Sequence, residues 1–181
     1  MDVMIIGDGP GGLSAALFLA KAGRNVVVLG KDETAMNWAY LYNYLGVEPV
    51  SGTEFQARAR AQVAGHGADV RDARVVSIQA GAAGFTATLE DGSTVSADAV
   101  VLSEGKSWKL AKSLGCEEGE KGVKVDEHGL TSVPRVYAVG RMVRPTRSQA
   151  IISAGDGAKA ALDLLSREVG KDQQDWDSPP E

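Results

Sequence analysis

Val3-Met4-Ile5-Ile6-Gly7-Asp8-Gly9-Pro10-Gly11-Gly12 decides the fold. A short apolar run that stops at glycine fits a strand buried on both faces of a parallel sheet. Gly7, Gly9 and Gly12 then fall at GxGxxG spacing. The first glycine permits a sharp turn, the second lets backbone approach a pyrophosphate, and the third lets helix and strand pack closely. Further out, Leu13, Ala16, Leu17 and Ala20 recur at helical spacing, and Gly23 stands where a C-cap belongs. Val26-Val27-Val28-Leu29 predicts a second buried strand, so residues 3–29 form a βαβ unit with a right-handed crossover. Phosphates would sit on free backbone N–H groups at the positive end of that helix. Gly7, Gly9, Pro10, Gly11 and Gly12 are therefore candidate cofactor-binding residues. The acidic residue expected at the end of the second strand for a ribose is missing. Gly30-Lys31 stand there, with Asp32 and Glu33 just beyond, and Lys31 either meets a phosphate or is a solvated surface lysine.

Beyond this unit, residues 34–50 are loop-like and aromatic, with Trp38, Tyr40, Tyr42 and Tyr44. Thr53-Glu54-Phe55-Gln56 reads as a capping box opening a helix that runs to about Gly65. Strand-like pieces follow at Ala68–Val70, Arg74–Ile78 and Phe85–Leu89, and Asp91-Gly92 is a hairpin turn into Thr94–Ser96. This stretch predicts an antiparallel meander inserted into a parallel α/β domain. Ala99-Val100-Val101-Leu102 returns to a buried strand, and a short helix is expected around Lys109–Leu114. A strand pair is expected near Val123–Val125 and Val136–Val139, then a long helix from near Ser148 to near Glu168 with a small-residue apolar face.

Composition narrows the function classes. The chain has 181 residues and a net charge of −5, from 19 Lys plus Arg against 24 Asp plus Glu. Mild acidity without a basic block argues against nucleic acid as the main partner. No uncharged apolar run approaches the roughly 18 residues of a membrane span, and the start lacks the basic region of a signal peptide. The expectation is a cytoplasmic protein. A single cysteine, Cys116, excludes an internal disulfide framework, a CxxC pair and a cysteine zinc knuckle within this sequence.

The C-terminal third carries a family resemblance. Thr131-Ser132-Val133-Pro134-Arg135-Val136-Tyr137-Ala138-Val139-Gly140, followed by Ser148-Gln149-Ala150-Ile151-Ile152-Ser153-Ala154-Gly155-Asp156-Gly157-Ala158, resembles the second FAD motif of the thioredoxin reductase family. Asn43-Tyr44-Leu45-Gly46 resembles that family's Asn-aromatic-Pro-Gly segment, with leucine for proline. The resemblance covers nearly all of residues 1–168. It implies a three-layer α/β, FAD/NAD(P)-binding (Rossmann-like) domain over residues 1–168, with a parallel sheet and an antiparallel meander, and a flexible tail over residues 169–181.

The cofactor implied is FAD. The loop at Gly30 and Lys31 and the segment at Asn43 would approach the flavin ring, and Val75 would meet the adenine. Gln149 and Ala150, opening the last helix, would face the flavin's pyrimidine side, where a helix N-terminus stabilises negative charge. Gly105 ends Ser103-Glu104-Gly105, where the family has Ala-Thr-Gly. Two departures limit the inference. The family's NADPH domain and its CxxC are missing, so a donor would come from outside, as free NAD(P)H or a partner protein. The Gly-Asp that holds the ribityl chain is Gly140-Arg141 here. Arginine cannot accept that bond, although it can pair with a pyrophosphate. The implied function is flavin-mediated electron or hydride transfer. The alternative is a non-catalytic FAD module, either a sensor or one component of a larger assembly. A homodimer is compatible with the apolar surface that the missing domain would leave exposed.

No other constellation competes. The acidic neighbours of Cys116 should raise its thiol pKa. His66 and His128 fall where surface residues are expected. Glu104 reads either as a buried, shifted carboxylate or as an exposed strand end. Met142, Arg144 and Arg147 line either a partner surface or a mobile loop, and Tyr40, Tyr42 and Tyr44 either cover the flavin or pack in a core.

Overall fold

The computed structural model describes residues 1–178. Its centre is a five-stranded, wholly parallel sheet. β1 (Asp2–Ile6), α1 (Pro10–Lys21) and β2 (Asn25–Gly30) form the predicted βαβ unit. A two-stranded ribbon, β3 (Tyr40–Leu41) and β4 (Val50–Ser51), precedes α2 (Gly52–Gly65) and β5 (Asp69–Asp72). The meander is β6 (Val75–Gly81), β7 (Gly84–Leu89) and β8 (Thr94–Ala97), followed by β9 (Ala99–Leu102) and the short α3 (Lys109–Ser113). β10 (Val136–Ala138) and α4 (Ala150–Val169) complete the fold.

The large sheet runs β10-β9-β1-β2-β5. Alternation along β1 makes it a three-layer structure. Val3 and Ile5 pack toward α1, α2 and α4 through Leu13, Val63, Ala160 and Leu164. Met4 and Ile6 point the other way, into a second core with Ile78, Phe85, Ala87 and Leu89 of the meander. Both faces of β1 and β9 are therefore dry, which is why their sequences are continuous apolar runs. Close helix packing allows the arrangement to be compact: a Cβ on Gly157 of α4 would lie 2.0 Å from the Gly11 carbonyl oxygen of α1.

The structure corrects three local expectations. β5 joins the parallel sheet beside β2, with Val70 opposite Val28, and is not part of the meander. A short strand's own pattern does not name its partner. Val123–Val125 forms no strand with β10. Val123 makes an isolated bridge to Glu118, and β10 pairs with β9 instead. The cap of α2 is Ser51, whose Oγ accepts the Glu54 N–H at 3.2 Å, so the helix starts before Thr53. Ser51-Gly52-Thr53-Glu54 has the same capping spacing as the predicted box, two residues earlier.

α4 ends at Gly170, in the left-handed region at φ +72°. Beyond it, the Gln173 N–H donates to Ser166 Oγ at 2.9 Å, and Lys21 Nζ reaches Asp175 at 2.7 Å. Residues 179–181 of the expected tail lie outside the described residues. Among the described residues no helix is long and apolar enough to cross a membrane.

Candidate functional site

β1 sits where the chain's winding reverses, with β2 on one side and β9 on the other. Open α/β sheets place their ligand crevice at such a switch point, outside the carboxyl ends of the strands. A groove of about 870 Å³ lies there, within the usual range of roughly 300–1,000 Å³ for ligand sites.

Most of the residues expected to bind a cofactor meet in its walls. Gly7, Gly9, Pro10 and Gly11 come from the first loop, and Gly30 and Lys31 from the end of β2. Val75 enters from β6, Gly105 from the loop after β9, and Gly140, Arg141 and Ala150 from the approach to α4. The first loop needs its glycines for different reasons. Gly7 has φ +100°, and a Cβ there would meet the Ser103 carbonyl oxygen at 2.2 Å. At Gly9 a Cβ would meet nothing within 4 Å, so the space in front of it is open to a ligand.

Three expected residues lie outside the wall. Gly12 is beneath it, where a Cβ would stand 2.0 Å from the Gly7 carbonyl oxygen, so it sets how closely α1 approaches β1. Asn43 Nδ2 donates to Gln149 Oε1 at 3.3 Å, and both side chains are occupied with each other beside the groove. Gln149 is the exposed N-cap residue of α4, and its side chain makes no cap hydrogen bond.

Two helix N-termini converge on this space. Neither α1, begun by Gly9-Pro10, nor α4, begun by Gln149-Ala150, has a side-chain cap or an acidic residue in its first turn. Their positive ends are left for an anion, and the fit to a diphosphate rests on them together with the open face of Gly9.

The remaining candidates divide. Lys31 is an exposed residue of the groove wall, and its ammonium pairs with Glu90 at the surface. Glu104 accepts the N–H groups of Leu110 at 3.0 Å and Ala111 at 3.1 Å, tying the groove wall to α3. Burial raises its pKa above the ordinary carboxylate range, and the two N–H bonds only partly oppose that. The native state therefore keeps a proton that the unfolded chain has released. This contribution to stability is full below the unfolded pKa and declines as pH rises through the folded one. Denaturant midpoints measured between about pH 4 and pH 7 should fall more steeply with pH for wild type than for Glu104→Gln. Parallel profiles would show that Glu104 carries no such coupling.

Cys116 is buried, and burial, more than nearby Glu104, raises its thiol pKa. His66 and His128 are exposed. Met142 is core, and Arg144 is held by both oxygens of Asp156 at 2.9 and 2.8 Å, which leaves Arg147 as the exposed one of the three. Tyr40 and Tyr42 are exposed with ring centroids 4.7 Å apart, and Tyr44 packs on Phe55 at 5.3 Å. None of these tyrosines lines the groove, whereas Trp38, 85% exposed, does.

Sequence reasoning missed a polar cluster behind the glycine loop. Asp8 is 3% exposed. Its carboxylate pairs with Arg60 and accepts the Asp32 N–H at 2.9 Å, while Gln56 donates to its carbonyl oxygen. Gln56 and Arg60 stand four residues apart on one face of α2. The i,i+4 spacing was visible in the sequence, but nothing local linked it to Asp8.

The model of the pyridine nucleotide-disulphide oxidoreductase family matches residues 1–48 and 45–158. The chain is 31% identical over 173 residues to the ferredoxin reductase component of 5,5'-dehydrodivanillate O-demethylase in a Sphingobium species, covering 87% of this chain and 39% of that protein. It is 26% identical over 167 residues to the F component of alkyl hydroperoxide reductase in Staphylococcus epidermidis, covering 90% of this chain and 31% of the relative. The chain thus spans well under half the length of these relatives. Among solved structures, a thioredoxin reductase from Gloeobacter violaceus superposes with TM-score 0.89 at 18% identity, covering 98% of each chain. The atypical thioredoxin reductase TRi of Desulfovibrio vulgaris Hildenborough gives TM-score 0.84 at 20% identity, over 91% of this chain and 97% of that one. These two likenesses are of fold.

Proposed function

The chain belongs to the pyridine nucleotide-disulphide oxidoreductase family, and from that premise we propose that it is an FAD-binding oxidoreductase whose electron donor and acceptor come from outside the chain. One observation carries the reading: an open groove that runs from the amino end of α1 to the amino end of α4 across the sheet's switch point. FAD would supply the redox chemistry there, as a flavin that accepts and passes on electrons or hydride.

The chain's own residues bind and orient. Gly9 and Gly11 would receive the diphosphate on backbone N–H groups and open space, with Gly7 shaping the turn and Pro10 opening the helix, and Arg141 would add a charged pair to it. Val75 would border the adenine, and Ala150, at the positive end of α4, would favour negative charge in whatever lies against it. With one cysteine, the chain holds no CxxC for dithiol exchange. Free NAD(P)H or a partner protein would supply the electrons at the groove. The exposed Trp38 in its wall also favours a second reading, a non-catalytic FAD module docked by another protein.

The experiment is a visible spectrum of the purified full chain, identification of the released chromophore, and FAD titration of wild type and Arg141→Ala. Flavin bands, released FAD and a loss of about tenfold in affinity in the variant are expected. A colourless protein that takes up no flavin overturns both readings. Turnover of NADH or NADPH with common acceptors selects the enzyme, and its absence despite bound flavin selects the module.

A further inference from the structure

The end of β2 presents a gap in the expected site. In dinucleotide-binding βαβ units an acidic residue about 20 residues past the glycine loop accepts the ribose hydroxyls, and Gly30 stands in that region here. A Cβ built on Gly30 would fall 2.3 Å from Asp8 Cγ and 2.5 Å from Asp8 Oδ1. The space a side chain at position 30 would use is filled by a carboxylate arriving from the glycine loop.

That carboxylate is held from several sides. Oδ2 takes the Arg60 guanidinium and the Asp32 N–H, and Asp32 adopts φ +53° in the turn that presents this N–H. Gln56 fixes the loop from below through the Asp8 carbonyl. Oδ1 receives no hydrogen bond from any described residue, yet it is not among the sealed, unpartnered oxygens, and Asp8 lines the groove together with Gly30. A charge held almost wholly out of water, paired on one oxygen and open on the other, is poised to accept from a ligand.

We propose that the Asp8 carboxylate, reaching over Gly30, is the acceptor for the adenosine ribose hydroxyls of the bound dinucleotide, with Arg60 and Gln56 as its positioning residues. The proposal rests on the FAD reading above and deepens it. The acidic group has moved from the strand end to the glycine loop, and the glycine at position 30 is what makes room for it.

The test is calorimetric titration of wild type, Asp8→Asn and Asp8→Ala with two probes. These are adenosine diphosphate and its dideoxy analogue, which lacks the ribose hydroxyls. Wild type should prefer adenosine diphosphate by about 10- to 100-fold, the range for hydrogen bonds to a charged acceptor. Asp8→Ala should bring the ratio to about one, with Asp8→Asn between, as a coupled residue–ligand pair requires. A further variant, Asp8→Gly with Gly30→Glu, moves the carboxylate back to the strand and should recover the preference. Equal affinity of wild type for both probes, or an undiminished preference in Asp8→Ala, overturns the proposal. FAD uptake without ribose preference would sink this inference alone. Ribose preference without FAD uptake would sink the flavin reading alone.

Discussion

Gly157→Val should lower the thermal midpoint by roughly 6–12 °C, the shift that about 3 kcal/mol produces in a chain of this size. The added Cβ would lie 2.0 Å from the Gly11 carbonyl oxygen and 2.9 Å from the Ala15 amide nitrogen. Both are backbone atoms within α1, so no rotamer change relieves the contact and the helices must separate. Because Gly11 lines the groove, the damage extends to the binding site, and FAD affinity should fall with stability. Gly155 supplies the control. It lies in the same helix, two residues away, and a Cβ there meets nothing within 4 Å. Gly155→Ala should raise stability by about 1 kcal/mol through helix propensity alone. Scanning calorimetry of the two variants checks both signs, and a Gly157→Val protein that melts with wild type would show that the helices are not locked as described.

Arg60→Met should be similarly damaging, at about 3 kcal/mol, because it strands a buried charge. Asp8 has 4% of its side-chain surface exposed and its ionic partner is Arg60. The second pair, from Arg60 to Asp72, adds little because Asp72 is largely exposed. Adding Asp8→Asn to Arg60→Met removes the orphaned charge and should restore most of the stability. It should restore ligand affinity only in part, since the amide oxygen is a neutral and weaker acceptor than the carboxylate. Urea unfolding of the two single variants and the double variant gives the coupling energy. Strictly additive losses would show that the pair is not a unit.

These two predictions mark where sequence reading stops. Val3–Ile6, Val26–Leu29 and Ala99–Leu102 were legible because strands buried on both faces must be apolar throughout, whatever their neighbours. The long helix after Ser148 was legible for a similar reason, its apolar face recurring at helical spacing. The glycine loop was legible because a sharp turn and a close backbone approach admit few other residues. The partner of β5 was not, since Asp69–Asp72 is a short, mostly exposed edge strand with no pattern that selects β2 over the meander. Nor was the pairing of Asn43 with Gln149 beside the groove, a hydrogen bond across 106 positions of chain.

Residue type and local spacing determined the βαβ unit, the meander's hairpin turn, the small-residue helix and the kind of ligand that such a loop suits. The tertiary structure alone decided which glycine in Gly155-Asp156-Gly157 cannot carry a side chain and which carboxylate fills the gap at Gly30. Both are matters of approach between segments far apart in the chain. A sequence states what each segment tolerates by itself, but only packing brings a carbonyl to within 2.0 Å of one glycine and leaves the other in water.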